Sequence, residues 1–131
     1  MSRKAKGSNA ERELIHLFWA APGWSAIRVA GSGSIKYPVP DVLAGNGQRR
    51  IAIECKASGE GVKYITSKQI GELQEFARLF GAEAWLGIRF DDMKWHFLSI
   101  EDLRQAGSSY AVSIELAKKK GLLFEELIGN I

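Results

Sequence analysis

Residues 30 to 56, AGSGSIKYPVPDVLAGNGQRRIAIECK, decide the reading of this chain. The stretch opens on a Ser-Gly-Ser loop, reaches Pro40-Asp41, turns at Gly45-Asn46-Gly47 and returns through Glu54-Cys55-Lys56. Asn-Gly between apolar runs is strong hairpin chemistry, because tight hairpin turns need residues that tolerate positive φ. Strands are therefore predicted over residues 41 to 44 and 49 to 56, with Pro40 leading into the first of them, where a proline is tolerated. On the returning strand Ile51, Ile53 and Cys55 alternate with Ala52, Glu54 and Lys56, so the pleat sends the carboxylate and the ammonium to one face. At roughly 3.3 Å per residue, Asp41 and Glu54 lie similar distances from the turn, and their carboxylates can converge on one cation. Charges on such an apolar strand are costly to bury unless they pair or hold a metal. The plainer alternative is an ordinary same-face ion pair between Glu54 and Lys56.

Upstream, Ser8-Asn9-Ala10-Glu11 matches a capping box, and Leu14, Ile15, Phe18 and Ala21 form the apolar stripe of a helix that should stop at Pro22-Gly23. Residues 1 to 7 read as a mobile basic arm. Glu11 precedes Leu14, Ile15 and Phe18 by three, four and seven residues, so it emerges along the inward stripe; the alternative is that it only closes the cap. Residues 25 to 30 read as a strand, and the following glycines suit close backbone approach to a phosphate.

Downstream, residues 58 to 64 read as a polar loop. A second helix starts at Thr66-Ser67-Lys68-Gln69 and ends at Gly81, with Ile70, Leu73, Phe76, Ala77 and Phe80 on its buried face. Gln69 either touches the site or caps that helix with Thr66. Residues 82 to 90 and 94 to 98 form a hairpin whose Asp91-Asp92 tip reads as turn chemistry. Residues 110 to 114 suit strand or loop, residues 122 to 128 a short terminal helix, and residues 104 to 121 carry no assignable pattern.

At 131 residues the chain fits a single domain, residues 1 to 131. The 18 Lys and Arg against 15 Asp and Glu give only +3, so placement matters more than total. The single Cys55 excludes an internal disulfide, and no run is long enough for a membrane span, which together point to a cytoplasmic, membrane-free protein. His16 and His96 have no partners at metal-ligand spacing.

The order helix, strand, strand, strand, helix, strand, with Pro40-Asp41 followed by Glu54-Cys55-Lys56, resembles the PD-(D/E)XK nuclease superfamily. Within it, GSNAEREL at residues 7 to 14, SGS at 32 to 34 and PVPD at 38 to 41 are similar to the archaeal Holliday junction resolvases, over residues 4 to 100. That resemblance implies an α/β, restriction endonuclease-like core: a central mixed β-sheet flanked by helices in the order α-β-β-β-α-β-β. It implies Asp41 and Glu54 as metal-ligating carboxylates, the main-chain carbonyl of Cys55 as a further ligand, and Glu11 as a helix acid supporting the metal directly or through water. It further implies Lys56 as the group that orients or activates the attacking water, Ser32 as a loop serine required for cleavage, and Mg²⁺, replaceable by Mn²⁺, as the cation. A hard cation that keeps several waters suits such oxygen donors.

Arg3, Lys4, Lys6, Arg28, Ser34, Lys36, Tyr37, Lys63 and Lys68 are candidate DNA contacts, mainly to backbone phosphates. Two matched cuts from one small domain call for a homodimer, which the resemblance also implies. The expected function is resolution of four-way junction DNA by paired symmetric phosphodiester hydrolysis in recombination and repair. The alternatives are another nuclease of the superfamily acting on branched, nicked or duplex DNA, and a non-catalytic DNA-binding module.

Overall fold

The computed structural model describes residues 3–31 and 34–129, the side chains of residues 3 to 5 excepted. Helix α1 (Arg3–Ala20) buries Leu14 and Phe18, one turn apart, and leads through a turn at Gly23 to the buried Trp24. Strands β1 (Ser25–Arg28), β2 (Val42–Gly45) and β3 (Arg50–Ser58) form an antiparallel meander. The turn between β2 and β3 is built as its composition demands. Gly47 has φ 92°, and the Asn46 side-chain oxygen accepts from the backbone N–H groups of Gln48 and Arg49.

Strand β4 (Val62–Thr66) leads into helix α2 (Ser67–Phe80), which carries the chain back to β5 (Glu83–Phe90), parallel to β3. Strand β6 (His96–Ser99) pairs antiparallel with β5, giving a mixed sheet in the order β1-β2-β3-β5-β6. After a 3-10 turn, β7 (Arg104–Ala106) and β8 (Ser109–Ser113) join β4 in a second sheet, ordered β4-β8-β7. Helices α3 (Ile114–Lys120) and α4 (Phe124–Leu127) follow.

Strand β3 divides the core. Ile51, Ile53 and Cys55 pack on one face with Leu14 and Phe18 of α1, and Ala52 packs on the other with Leu73 and Ala77 of α2. A third cluster, including Ile65, Leu86, Ile88 and Val112, joins the second sheet to the central one. Each fully buried aliphatic or aromatic side chain here contributes roughly 1.5–3 kcal/mol relative to exposure. Gly87 allows close packing, since a Cβ there would stand 3.0 Å from Ile53 and 3.2 Å from Phe97 and would push their side chains back by a few tenths of an ångström.

The expected mixed sheet flanked by helices is present, with several differences. Helix α1 starts at Arg3, not at the Ser8 cap; the Ser8 hydroxyl accepts from Arg28, and Lys6 is held against Asp91 at 2.8 Å, so tertiary partners carry the helix upstream of its local signal. The predicted polar loop at 58 to 64 contains most of β4. Only Ile65 of that strand is buried, so no apolar alternation marks it. The unassigned 104 to 121 region holds β7, β8 and α3, and the last helix is shorter than predicted, Phe124–Leu127. Phe80, placed on the buried face of α2, is 48% exposed and stacks on Phe76 beyond the sheet's cover.

Candidate active site

The site forms where the β2–β3 ladder ends. Val42 pairs with Ile53, so the next positions outward are Asp41 and Glu54, as the hairpin count predicts. Asp41 is fixed by its backbone, its N–H donating to Ile53 and its carbonyl accepting from Val29. Its Oδ2 accepts from the Cys55 N–H at 2.8 Å, so the carboxylate takes a place that a backbone carbonyl would hold in a longer ladder. Glu54 and Lys56 project to the face of β3 that carries α2, 3.6 Å apart, an ion pair longer than a hydrogen bond. Their side chains are only 14% and 18% exposed.

Two carboxylates this close and this buried disfavour double ionisation. Glu54 is pushed up to about 7, first by burial and then by the negative charge of Asp41, with Lys56 opposing. Glu11 is also raised, chiefly by burial, partly offset by its hydrogen bond from Arg28, and raised further by Asp41. Arg28 Nε donates to Glu11 at 2.7 Å and Arg28 Nη2 to Ser8 at 3.2 Å, so Glu11 is held by an arginine as well as facing inward. The Cys55 thiol lies in the α1-side core, and burial holds it well above its ordinary range.

Asp41 and Glu54 open onto a cavity of about 390 Å³. One wall is the loop bearing Ile35, Lys36, Tyr37 and Val39; the other is the first turns of α2, with Lys68, Gln69, Glu72 and Leu73. Gln69 does both things the sequence left open. It completes the α2 cap with Thr66, each side chain accepting from the other's backbone N–H, and it lines the cavity.

Glu11 does not line this cavity; it sits on the α1 side and reaches the site electrostatically through Asp41. Among the described residues, no three carboxylate, thiol or imidazole groups are clustered tightly enough to enclose a metal ion unaided. Two crowded carboxylates fit an ion such as Mg²⁺, which is bound through one or two carboxylates and keeps the rest of its shell for water and phosphate. Burial raises Glu54 first, and the negative charge of Asp41, which adds to it, is charge that a divalent cation would neutralise.

Of the predicted DNA contacts, Lys36, Tyr37 and Lys68 line the cavity; Ser34 is exposed on the same loop, its N–H donating to Gly31. Lys63 is half-buried on β4, Arg28 is engaged by Glu11 and Ser8, and Lys6 by Asp91. Ser32 and the side chains of Arg3 and Lys4 lie outside the described residues. Glu72 was missed; its position three residues after Gln69, on the same helix face, was the available signal.

Comparison with known proteins agrees with this geometry. The family model described as archaeal Holliday junction resolvase (Hjc) matches residues 2–131. The chain is 38% identical to the crossover junction endodeoxyribonuclease Hjc of Archaeoglobus fulgidus, over 97% of this chain and 98% of that protein. It is likewise 38% identical to the Hjc of Sulfolobus acidocaldarius, over 98% and 90% of the two chains. The solved structure of Archaeoglobus fulgidus Hjc, a Holliday junction resolvase, superimposes with a TM-score of 0.86 at 36% identity, covering 92% of this chain and 97% of that one. With a match spanning nearly its whole length and the carboxylates gathered at the end of the β2–β3 hairpin, this chain belongs to the archaeal Holliday junction resolvase (Hjc) family.

Proposed function

We propose that this chain is a structure-selective endonuclease that resolves four-way DNA junctions in recombination and repair, working as a Mg²⁺-dependent homodimer that makes paired symmetric cuts. The observation that carries the reading is the meeting of Asp41, Glu54 and Lys56 at one strand end, with both carboxylates facing a cavity large enough for a phosphodiester. A bound divalent cation, Mg²⁺ or Mn²⁺, supplies charge neutralisation at the scissile phosphate and acidity to the attacking water.

The chain's own residues do the rest. Asp41, steadied by the Cys55 N–H, and Glu54 present the oxygen donors, together with the Cys55 carbonyl. Lys56, beside Glu54, orients the water for in-line attack and balances charge on the phosphoryl oxygens. Glu11, braced by Arg28, supports Asp41 from the opposite face of the sheet, and the family resemblance adds Ser32 as a residue required for cleavage. Lys36 and Lys68 hold the phosphates on either side. One domain carries one such centre, so two matched cuts need two copies related by a twofold axis. Among the described residues no helix is long and apolar enough to cross a membrane; the cytoplasm is the compartment we propose for this work on DNA.

The test is cleavage of a synthetic four-way junction against a linear duplex, in magnesium or chelator. The expected result is paired nicks near the branch point only with the metal. Equal cutting of the linear duplex would favour a less selective nuclease. Junction binding without cutting under any divalent cation would favour a non-catalytic module.

A further inference from the structure

Residues 35 to 37 place two large apolar side chains where a folded protein has little reason to leave them. Tyr37 is 73% exposed and Ile35 is 41% exposed, yet both line the cavity that holds Asp41 and Glu54. Lys36 lies between them, and Lys68 faces them from the α2 wall. The loop is stiffened below by Pro38 and Pro40, the latter buried, and Asp41 follows directly. Tyr37 is thus four residues from a site carboxylate on a short, constrained tether.

We propose that Tyr37, backed by Ile35, stacks on the nucleobase flanking the scissile phosphate, so that cleavage requires a nucleotide free to leave its stack. The inference rests on the junction-nuclease reading given above and deepens it by naming a source of substrate selectivity. A phosphate seated at Asp41 and Glu54 carries its adjoining sugar and base into the same cavity, where Lys36 and Lys68 meet the charged backbone and Tyr37 meets the aromatic face. In continuous duplex that base is held between its neighbours. At a branch point one stacking partner is missing or exchangeable, and an aromatic surface replaces it at low cost. A tyrosine face tolerates any base, so the device selects structure without reading sequence.

The experiment is a cycle between protein and substrate. Parent, Tyr37→Ala and Tyr37→Phe proteins are compared on a magnesium-activated junction, and on the same junction with an abasic nucleotide beside the cleaved phosphate. Tyr37 is exposed, so both substitutions leave the core intact, which a melting curve checks. Stacking predicts that Tyr37→Ala lowers kcat/KM on the intact junction about tenfold. It also predicts that Tyr37→Phe stays near the parent, and that the alanine defect disappears on the abasic junction. The inference is overturned if Tyr37→Ala cuts the intact junction like the parent, or if its defect is as large on the abasic one. It is equally overturned if Tyr37→Phe loses as much as Tyr37→Ala, since the hydroxyl would then be the contact. A parent protein that cuts no junction would overturn the nuclease reading itself, an outcome distinct from all three.

Discussion

The two ends of β3 handle charge in opposite ways. At the turn end, Arg49 donates to both carboxylate oxygens of Glu83 at 2.8 Å and to the Leu127 carbonyl at 2.7 Å, and its guanidinium lies 5.8 Å from the Trp24 ring centroid. The hydrogen bonds from Arg49 hold Glu83 below the usual carboxylate range, and those to Glu83 hold Arg49 above its own. At the other end Glu54 is buried and crowded by Asp41, and those causes, in that order, drive it up to about 7. One end is satisfied by the fold alone. The other gathers two carboxylates around a single amine, and that contrast marks scaffold from site.

The strongest way to sharpen the contrast is Asp41→Asn. The amide oxygen still accepts from the Cys55 N–H, so folding and junction binding should persist while cleavage falls about a thousandfold. Nicking at the parent's rate in a gel assay would remove Asp41 from the chemistry.

Glu54→Gln should separate stability from activity. A carboxyl raised from 4.5 to about 7 binds its proton more tightly folded than unfolded, so its contribution is complete below pH 4.5 and is lost as pH rises through 7. In chelator, the glutamine variant should therefore be more stable than the parent by on the order of 2–3 kcal/mol at pH 8, with no gain at pH 4. Its cleavage should be lost. Denaturant melts at the two pH values check the first part; a gain of equal size at both would contradict the assigned cause.

Arg49→Ala attacks the satisfied end. It removes the bond to the Leu127 carbonyl and both bonds to the Glu83 carboxylate, which keeps the Trp85 indole N–H, and should cost about 2 kcal/mol while the folded fraction cuts at the parent's rate. Here the sign is reversed: Glu83 is lowered, so its contribution is present above pH 4.5 and is lost below it. The two ends therefore predict opposite trends for metal-free protein, stability lost through Glu83 as pH falls below 4.5 and through Glu54 as pH rises through 7, both readable in Tm against pH. The smallest effect belongs to Lys6→Ala. Its pair with Asp91 is 35% and 53% exposed and should contribute less than about 1 kcal/mol, so a larger loss of Tm would show that α1 depends on it.

Much of this was legible in sequence because it is local. The Asn46-Gly47 turn set the register that puts Asp41 opposite Glu54, and Thr66 with Gln69 announced the start of α2. What escaped depends on partners far along the chain. Strand β4 has one buried residue and is recognisable only through its pairing with β8, beyond α2, β5, β6 and β7. Strand β7 is wholly exposed and has no periodicity to detect. Phe80 has the spacing of a buried residue, but the helix outruns the sheet beneath it.

The sequence by itself determined the hairpin, the two main helices and the set of acids and amine that make the site, because turn chemistry and side-chain period act over a few residues. Only the tertiary structure decided that Glu11 approaches from the α1 side in the grip of Arg28, and that Tyr37 stands exposed at the cavity. It also decided that Glu54 lies close enough to Asp41, and buried enough, to resist ionisation. Those outcomes depend on distance and solvent exclusion between segments, which no local pattern records.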